Sequence, residues 1–244
     1  MTAQPADRTM AERLAAFATG VAASVLLIGI AVLPFLSPAW VHFEQDRTGA
    51  AELTGFTTAQ LRTATDSILS DLVVGPPRFD VEVAGSPVLE ERERAHMRDV
   101  RGVFAAFAGL VVVAAVVLVA LLAGARRMGH PERGWSAIER ATRWLIGGIV
   151  VAGVVASVAF DAVFEIFHRL FFPGGSYTFD PRTDRLVQLF PFEFWSETTI
   201  AVGAVIIVLA LAVSVVSARR TRGVTQTGAA GGGVAATARR ETVG

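Results

Sequence analysis

The chain of 244 residues is 52% hydrophobic, with 22 basic and 22 acidic side chains and no cysteine. The formal net charge is zero, and no nucleic acid is expected as a partner. The lack of cysteine excludes disulfides, thiol nucleophiles and cysteine-ligated metals together. All the basic side chains are arginine, a bias that carries no functional weight here.

Residues 1–13 form a short N-terminus, and the first apolar stretch, 14–35, is long enough to cross a bilayer, which takes about 20 helical residues. It is longer than the apolar part of a secretory signal, so it is expected to stay in the membrane. Residues 36–102 follow as a long connector with internal order. TTAQLRTATDSILSDLVV, from Thr57, carries a capping box (Thr57 with Gln60) and apolar positions Leu61, Ala64, Ile68, Leu69 and Leu72, the pattern of an amphipathic helix. GPP at 75–77 ends it, FDVEV from Phe79 alternates like a short strand, and AGSP is a turn. LEERERAHMRDVRGVF then reads as a helix running without a break into the second span, 103–124. That span, VFAAFAGLVVVAAVVLVALLAG, has no polar stripe at helical period and so is not a soluble core helix.

The connector 125–143 holds five Arg against two Glu, and the segment 218–244 holds five Arg against one Glu. Short basic loops remain cytoplasmic, which places the connector and both termini inside. The third span, 144–165, leads into a second outer loop, 166–198, and a fourth span, 199–217, follows. The long connector carries seven Arg, but it exceeds the roughly 60 residues within which the charge rule has force, and it also holds eleven acids. Trp40, Trp144 and Trp195 fall at span ends, as an aromatic belt requires. The Gly-, Ala- and Thr-rich tail from 218 has no periodicity and is expected to lack structure. The expected fold is an all-α four-helix transmembrane bundle with a small α+β extracytoplasmic cap.

Polar residues converge at two span ends. Asp161, Glu165 and His168 fall within roughly 60° of helical arc at the end of the third span. His96 lies about two turns before the second span, with Arg92 four residues back and Asp99 three residues on. The link between spans two and three is short, so their outer ends are expected to be neighbours, with both imidazoles at headgroup level. Acids so close to lipid normally face a partner or water. An interfacial ion-paired cluster, with Arg92 and Arg169 as partners, would account for the same residues. His42 and His130 sit in interfacial and connector positions with no such company. Two histidines with carboxylates could hold a metal, but no zinc-protease spacing is present and no metal or other cofactor is expected. PGG at 173–175 is either a tight turn or a source of backbone N–H groups at Gly174 and Gly175 for an oxyanion.

AHMRDVRGVF at 95–104 and FHRLFFPGGSYTFDPRTDRLVQLFPFEFW at 167–195 resemble blocks of the lipoprotein intramolecular transacylases, a bacterial family of four-span membrane proteins. The resemblance implies transfer of the sn-2 acyl chain of a diacylglyceryl-modified lipoprotein to the α-amine of its N-terminal cysteine, at the outer membrane surface. It maps the functional histidines onto His96 and His168. His168 would be the base, with Asp161 or Glu165 orienting it, and His96 would bind or protonate the ester oxygens, its tautomer held by Asp99. Arg92, Arg169 or the Gly174–Gly175 backbone would stabilise the oxyanion, and Tyr177, where the family pattern leads one to expect tryptophan, would contact substrate. The partners implied are the diacylated lipoprotein N-terminus and membrane lipid. The competing class is a non-catalytic envelope protein whose acidic outer cap binds a partner. A transporter fits less well, because the spans lack central charges and broken helices.

Overall fold

A computed structural model describes residues 9–241, with side chains through Gly223. Four helices are long and apolar enough to cross a membrane: α1 (Met10–Val32), α5 (Glu91–Arg127), α6 (Pro131–Phe171) and α8 (Phe192–Glu241). A 3-10 turn, Leu33–Leu36, leaves α1 at Pro34. Between α1 and α5 lie three short helices, α2 (Pro38–Arg47), α3 (Ala50–Thr54) and α4 (Thr58–Val73), and a two-stranded antiparallel sheet of β1 (Glu82–Val83) and β2 (Ser86–Pro87). A last short helix, α7 (Arg185–Leu189), precedes α8. The fold is therefore a four-helix membrane protein with a small α+β cap, as the hydropathy pattern requires.

Contacts divide the chain into two compact units. One gathers α1 up to Ile28, the stretch Val111–Gly148 and α8 from Ile206. There α1 approaches α6 closely: a Cβ on Gly20 would stand 2.9 Å from the Ala141 Cβ, so glycine permits the contact. Arg133 donates to Glu12 across the same pair of helices. The apolar window of α1 is 39% buried against 6% in α5 and α6, whose valine-rich faces are left for lipid.

The other unit, Gly29–Leu110 with Ile149–Val205, holds the cap. Its core packs Val41, Leu61, Ile68, Phe79, Leu89 and Leu189. Helix α4 forms as its sequence dictates, with the Thr57–Gln60 capping box present and Leu61, Ala64, Ile68 and Leu69 buried on one face. The buried Gln45 amide donates to Thr65 Oγ1 (3.0 Å) and to the Leu189 carbonyl (2.9 Å), tying α2, α4 and α7 together. Trp40 Nε1 donates to Thr198 Oγ1 at 3.1 Å, which anchors α2 to the start of α8.

Two expectations need correction. The strand expected from Phe79 is shorter: Phe79 has φ +52, and its N–H donates to Asp71 Oδ2 at 2.7 Å, so the first backbone bond across the hairpin is Val88 N–H to Val81 O (3.0 Å) and β1 itself starts at Glu82. Ala84 and Gly85, with φ +53 and +76, make the two-residue turn. The segment from 218, expected to be unstructured, carries on as helix: Thr221 Oγ1 donates to Ser217 O (3.0 Å) and Arg222 Nε to Ala218 O (3.3 Å). No proline interrupts it. The side chains beyond Gly223 lie outside the described residues.

Candidate active site

Helix α5 runs unbroken from Glu91, so Arg92, His96 and Asp99 rise along it at steps of four and three. Helix α6 has a non-helical residue at Ala159 (φ −144, ψ 41), just after Ser157 Oγ takes the Val154 carbonyl as acceptor at 2.8 Å. A side chain bonding into the helical ladder is a recognised source of such kinks. The last turns of α6, with Asp161, Glu165 and His168, follow the kink.

The two imidazoles meet. Ring centroids of His96 and His168 are 6.1 Å apart with planes 25° from parallel. His96 is buried, with Phe172 and Phe179 edge-on to its ring at 4.8 and 5.5 Å. Its Nδ1 has no hydrogen-bond partner, although an unsatisfied buried polar atom is costly. The His168 ring packs against Phe164 (3.9 Å), Tyr177 (5.1 Å) and Phe172 (5.5 Å). Its Nδ1 lies 2.8 Å from the Phe164 carbonyl oxygen. A carbonyl only accepts, so Nδ1 carries the proton and donates, and Nε2 of the neutral ring keeps its lone pair.

The acids take other places than expected. Glu165 accepts from Arg169 Nε (2.7 Å) and from the Tyr177 hydroxyl (3.2 Å), while the hydrogen bond at His168 Nδ1 goes to the Phe164 carbonyl. Asp161 is exposed and makes no hydrogen bond or ion pair among the described residues. Asp99 accepts from Ser176 Oγ at 3.2 Å, while the His96 Nδ1 it was expected to hold stays free.

The expected oxyanion donors are largely engaged. Arg92 donates to the Thr178 carbonyl (3.2 Å) and to Asp184 Oδ2 (2.7 Å), and its guanidinium stands over the Phe179 ring at 5.1 Å. Arg169 is paired with Glu165. The Gly175 N–H closes a turn onto the Phe172 carbonyl at 3.0 Å, with Gly175 at φ +71, so PGG serves as a tight turn. Arg182 holds the exposed Asp180 carboxyl below its ordinary range, first through the Arg182 backbone N–H and then through its side chain.

A groove of about 910 Å³ lies beside the histidine pair. Phe104, Phe107, Phe167 and Phe171 wall it, and Phe172 is common to the groove and the imidazole box. Arg98, Asp99, Gly174 and Ser176 supply its polar part. Among the described residues, no three histidines or acids gather in a way that could hold a metal.

Sequence reasoning missed Glu93 and Asp184. Both are buried beside the site, and Glu93 is fully so. Their signals were present: Glu93 stands three residues before His96, and Asp184 directly precedes α7 in a helix-capping position.

The fold and site define a helical integral membrane protein with a histidine pair at the cap end of two long helices. The model of the family described as "Lipoprotein intramolecular transacylase Lit" matches residues 17–195. The chain belongs to that family of bacterial membrane enzymes. Among solved structures, it is similar to the membrane-integral lipoprotein intramolecular transacylase Lit from Bacillus cereus, with TM-score 0.69 and 17% identity over 89% of this chain and 97% of that one. A variant of the same protein, with one histidine replaced by arginine, gives TM-score 0.68 and 17% identity over 91% and 95%. At this identity the likeness concerns the fold. No curated protein sequence matches the chain.

Proposed function

We propose that this protein moves the sn-2 acyl chain of a diacylglyceryl lipoprotein onto the α-amine of its N-terminal cysteine, leaving a lyso-form lipoprotein. Family membership supports the reaction class. The observation that carries the reading is the pair of stacked imidazoles, one with a free basic nitrogen and the other with an unpartnered buried one.

Aminolysis of an ester needs a neutral amine, and an α-ammonium has a pKa near 8. His168 Nε2 accepts the proton as the cysteine nitrogen attacks the ester carbonyl. His96 Nδ1, in the tautomer that carries hydrogen there, donates to the developing oxyanion. Collapse of the tetrahedral intermediate breaks the carbonyl–glycerol oxygen bond, and His168 returns the proton to that oxygen. The amine proton thus ends on a glycerol hydroxyl, one ester becomes one amide, and neither water nor a cofactor is consumed. Donor and acceptor belong to one molecule, so no acyl-enzyme is required and the entropic cost of bringing them together is already small.

The phenylalanine-walled groove suits an acyl chain entering from lipid, and exclusion of water by Phe164, Phe167 and Phe172 disfavours hydrolysis over transfer. Asp99 and Ser176 at its polar part suit the cysteine ammonium before deprotonation. The arginine distribution supports a topology with both termini in the cytoplasm and the site at the outer face.

The test is expression in a host that makes only diacylated lipoproteins, with mass spectrometry of their N-termini. N-acyl, lyso-type peptides should appear with the intact protein and be absent with His168→Ala. Unchanged lipoproteins in both would defeat the reading.

A further inference from the structure

Glu93 is the most deeply buried acid of the cap, and the chemistry above makes no use of it. Its two oxygens have separate tasks. Oε2 accepts from the Glu90 N–H at 2.7 Å and caps the start of α5. Oε1 reaches across to the first turn of α7 and accepts from the Leu186 N–H at 2.6 Å. The neighbouring Arg92 grips the same segment through the Thr178 carbonyl and Asp184 Oδ2, and Asp184 Oδ2 also accepts from the Asp180 N–H at 2.7 Å. Two consecutive residues of α5 therefore hold the segment 178–186 at three points.

That segment matters because of what it carries. Phe179 packs edge-on against His96, the Arg92 guanidinium stands over the Phe179 ring, Phe172 touches both imidazoles and Tyr177 packs on His168. His96 follows Glu93 by three residues on the same helix, less than one turn. The carboxylate that fixes the roof is thus built into the turn that bears the ring beneath it. A carboxylate suits this place better than an amide, because both partners are N–H donors and only a carboxylate accepts with both oxygens.

We propose that Glu93 is a positioning residue for His96: with Asp184 it clamps the segment 178–186 as a roof that keeps the ring dry and aimed at His168. The inference rests on the transacylase reading for the work His96 does, while the roof itself can be measured without turnover. The experiment takes the full chain in lipid nanodiscs and compares intact protein with Glu93→Gln. Diethyl pyrocarbonate reacts with accessible imidazoles, and peptide mass spectrometry then gives a rate for each histidine. Loss of one buried charge-assisted hydrogen bond should raise opening of the roof, and so labelling of His96, by about tenfold or more. His42, bound to Asp66 at 2.8 Å, and His130 should label at unchanged rates. With a diacylglyceryl lipopeptide, kcat should fall while KM stays close to its original value, because Phe104 and Phe107 of the groove are untouched.

If His96 labels no faster in Glu93→Gln, the proposal is overturned. If all the histidines label faster, the variant has lost its fold, and Asp184→Asn, which loosens the same segment through Arg92, decides by the same criterion. Selective exposure of His96 in either variant supports the roof even should the intact protein transfer no acyl chain, so the two claims can fail separately.

Discussion

His168 donates from Nδ1 to the carbonyl oxygen of Phe164, 2.8 Å away and four residues back on the same helix. This bond does what a carboxylate does for many catalytic histidines: it fixes the tautomer and points Nε2 outward. A neutral carbonyl stabilises the imidazolium less than a carboxylate would, so the ring gives its proton back readily. Replacing His168 with Gln should therefore lower turnover by about 10²–10⁴-fold, the usual contribution of a positioned general base. The measure is kcat on a synthetic diacylglyceryl lipopeptide.

Glu165 binds Arg169 and Tyr177 and makes no hydrogen bond to the His168 ring, so its loss should act only through its charge and through the Tyr177 contact. Glu165→Gln keeps an acceptor for the Tyr177 hydroxyl but weakens the exposed ion pair, which is worth little by itself. The expected result is a fall in turnover of about tenfold or less, well short of the His168 effect. Equal losses in the two variants would return Glu165 to the reacting centre.

Gly175 has φ +71, and a Cβ placed on it meets nothing within 4 Å. Gly175→Ala thus isolates backbone strain from packing, and a left-handed conformation costs a non-glycine residue roughly 1–2 kcal/mol. The turn that carries Ser176 and Tyr177 should loosen by that amount, read as a lower midpoint of thermal unfolding in detergent.

Gly20 makes the opposite case. Its missing Cβ would stand 2.9 Å from Ala141 Cβ, whereas Gly153 has open space around it. Gly20→Leu should destabilise by about 1–3 kcal/mol through overpacking, and Gly153→Leu should be close to neutral. Comparison of their unfolding midpoints checks the packing of α1 against α6.

Glu44, on α2, is buried, and burial raises its carboxyl above the usual carboxylate value; the charge of neighbouring Glu197 and a hydrogen bond donated to it by protonated Glu44 add to the rise, while Arg47 opposes it. A raised folded value means that the protonated form stabilises the fold. That contribution is complete below the ordinary carboxylate pKa near 4.5 and is lost as pH rises through the folded value. Relative to Glu44→Gln, the intact protein should lose thermal stability as pH rises through this window. Parallel profiles for the two proteins would contradict the assignment.

Much of this architecture was legible because it is written in local pattern. An uninterrupted apolar run such as 103–124 has no stable place in water, and a capping box followed by Leu61, Ala64, Ile68 and Leu69 leaves α4 little choice. The meeting of His96 and His168 was also readable, since a short link makes neighbours of α5 and α6. What stayed hidden depends on how residues 172–190 fold back. The pairing of Arg92 with Asp184, the burial of Glu93 against Leu186 and the spending of the Gly175 N–H on Phe172 are contacts or turn choices that helical spacing does not encode. The hydrogen bonds of the carboxylates stayed hidden for a related reason: spacing put Glu165 and His168 on one face, but an arginine one residue beyond and a tyrosine from the loop take up the same oxygens.

The most direct measurement follows the acyl group itself. The purified protein in nanodiscs is given a diacylglyceryl lipopeptide whose sn-2 chain alone is isotopically labelled, and the products are separated by mass. The account predicts that the label moves to the cysteine amine, with a free glycerol hydroxyl left behind and no labelled fatty acid released, and that His96→Ala and His168→Ala each abolish the transfer. Label retained on the glycerol, or released to water at the same rate with and without the two histidines, would contradict it.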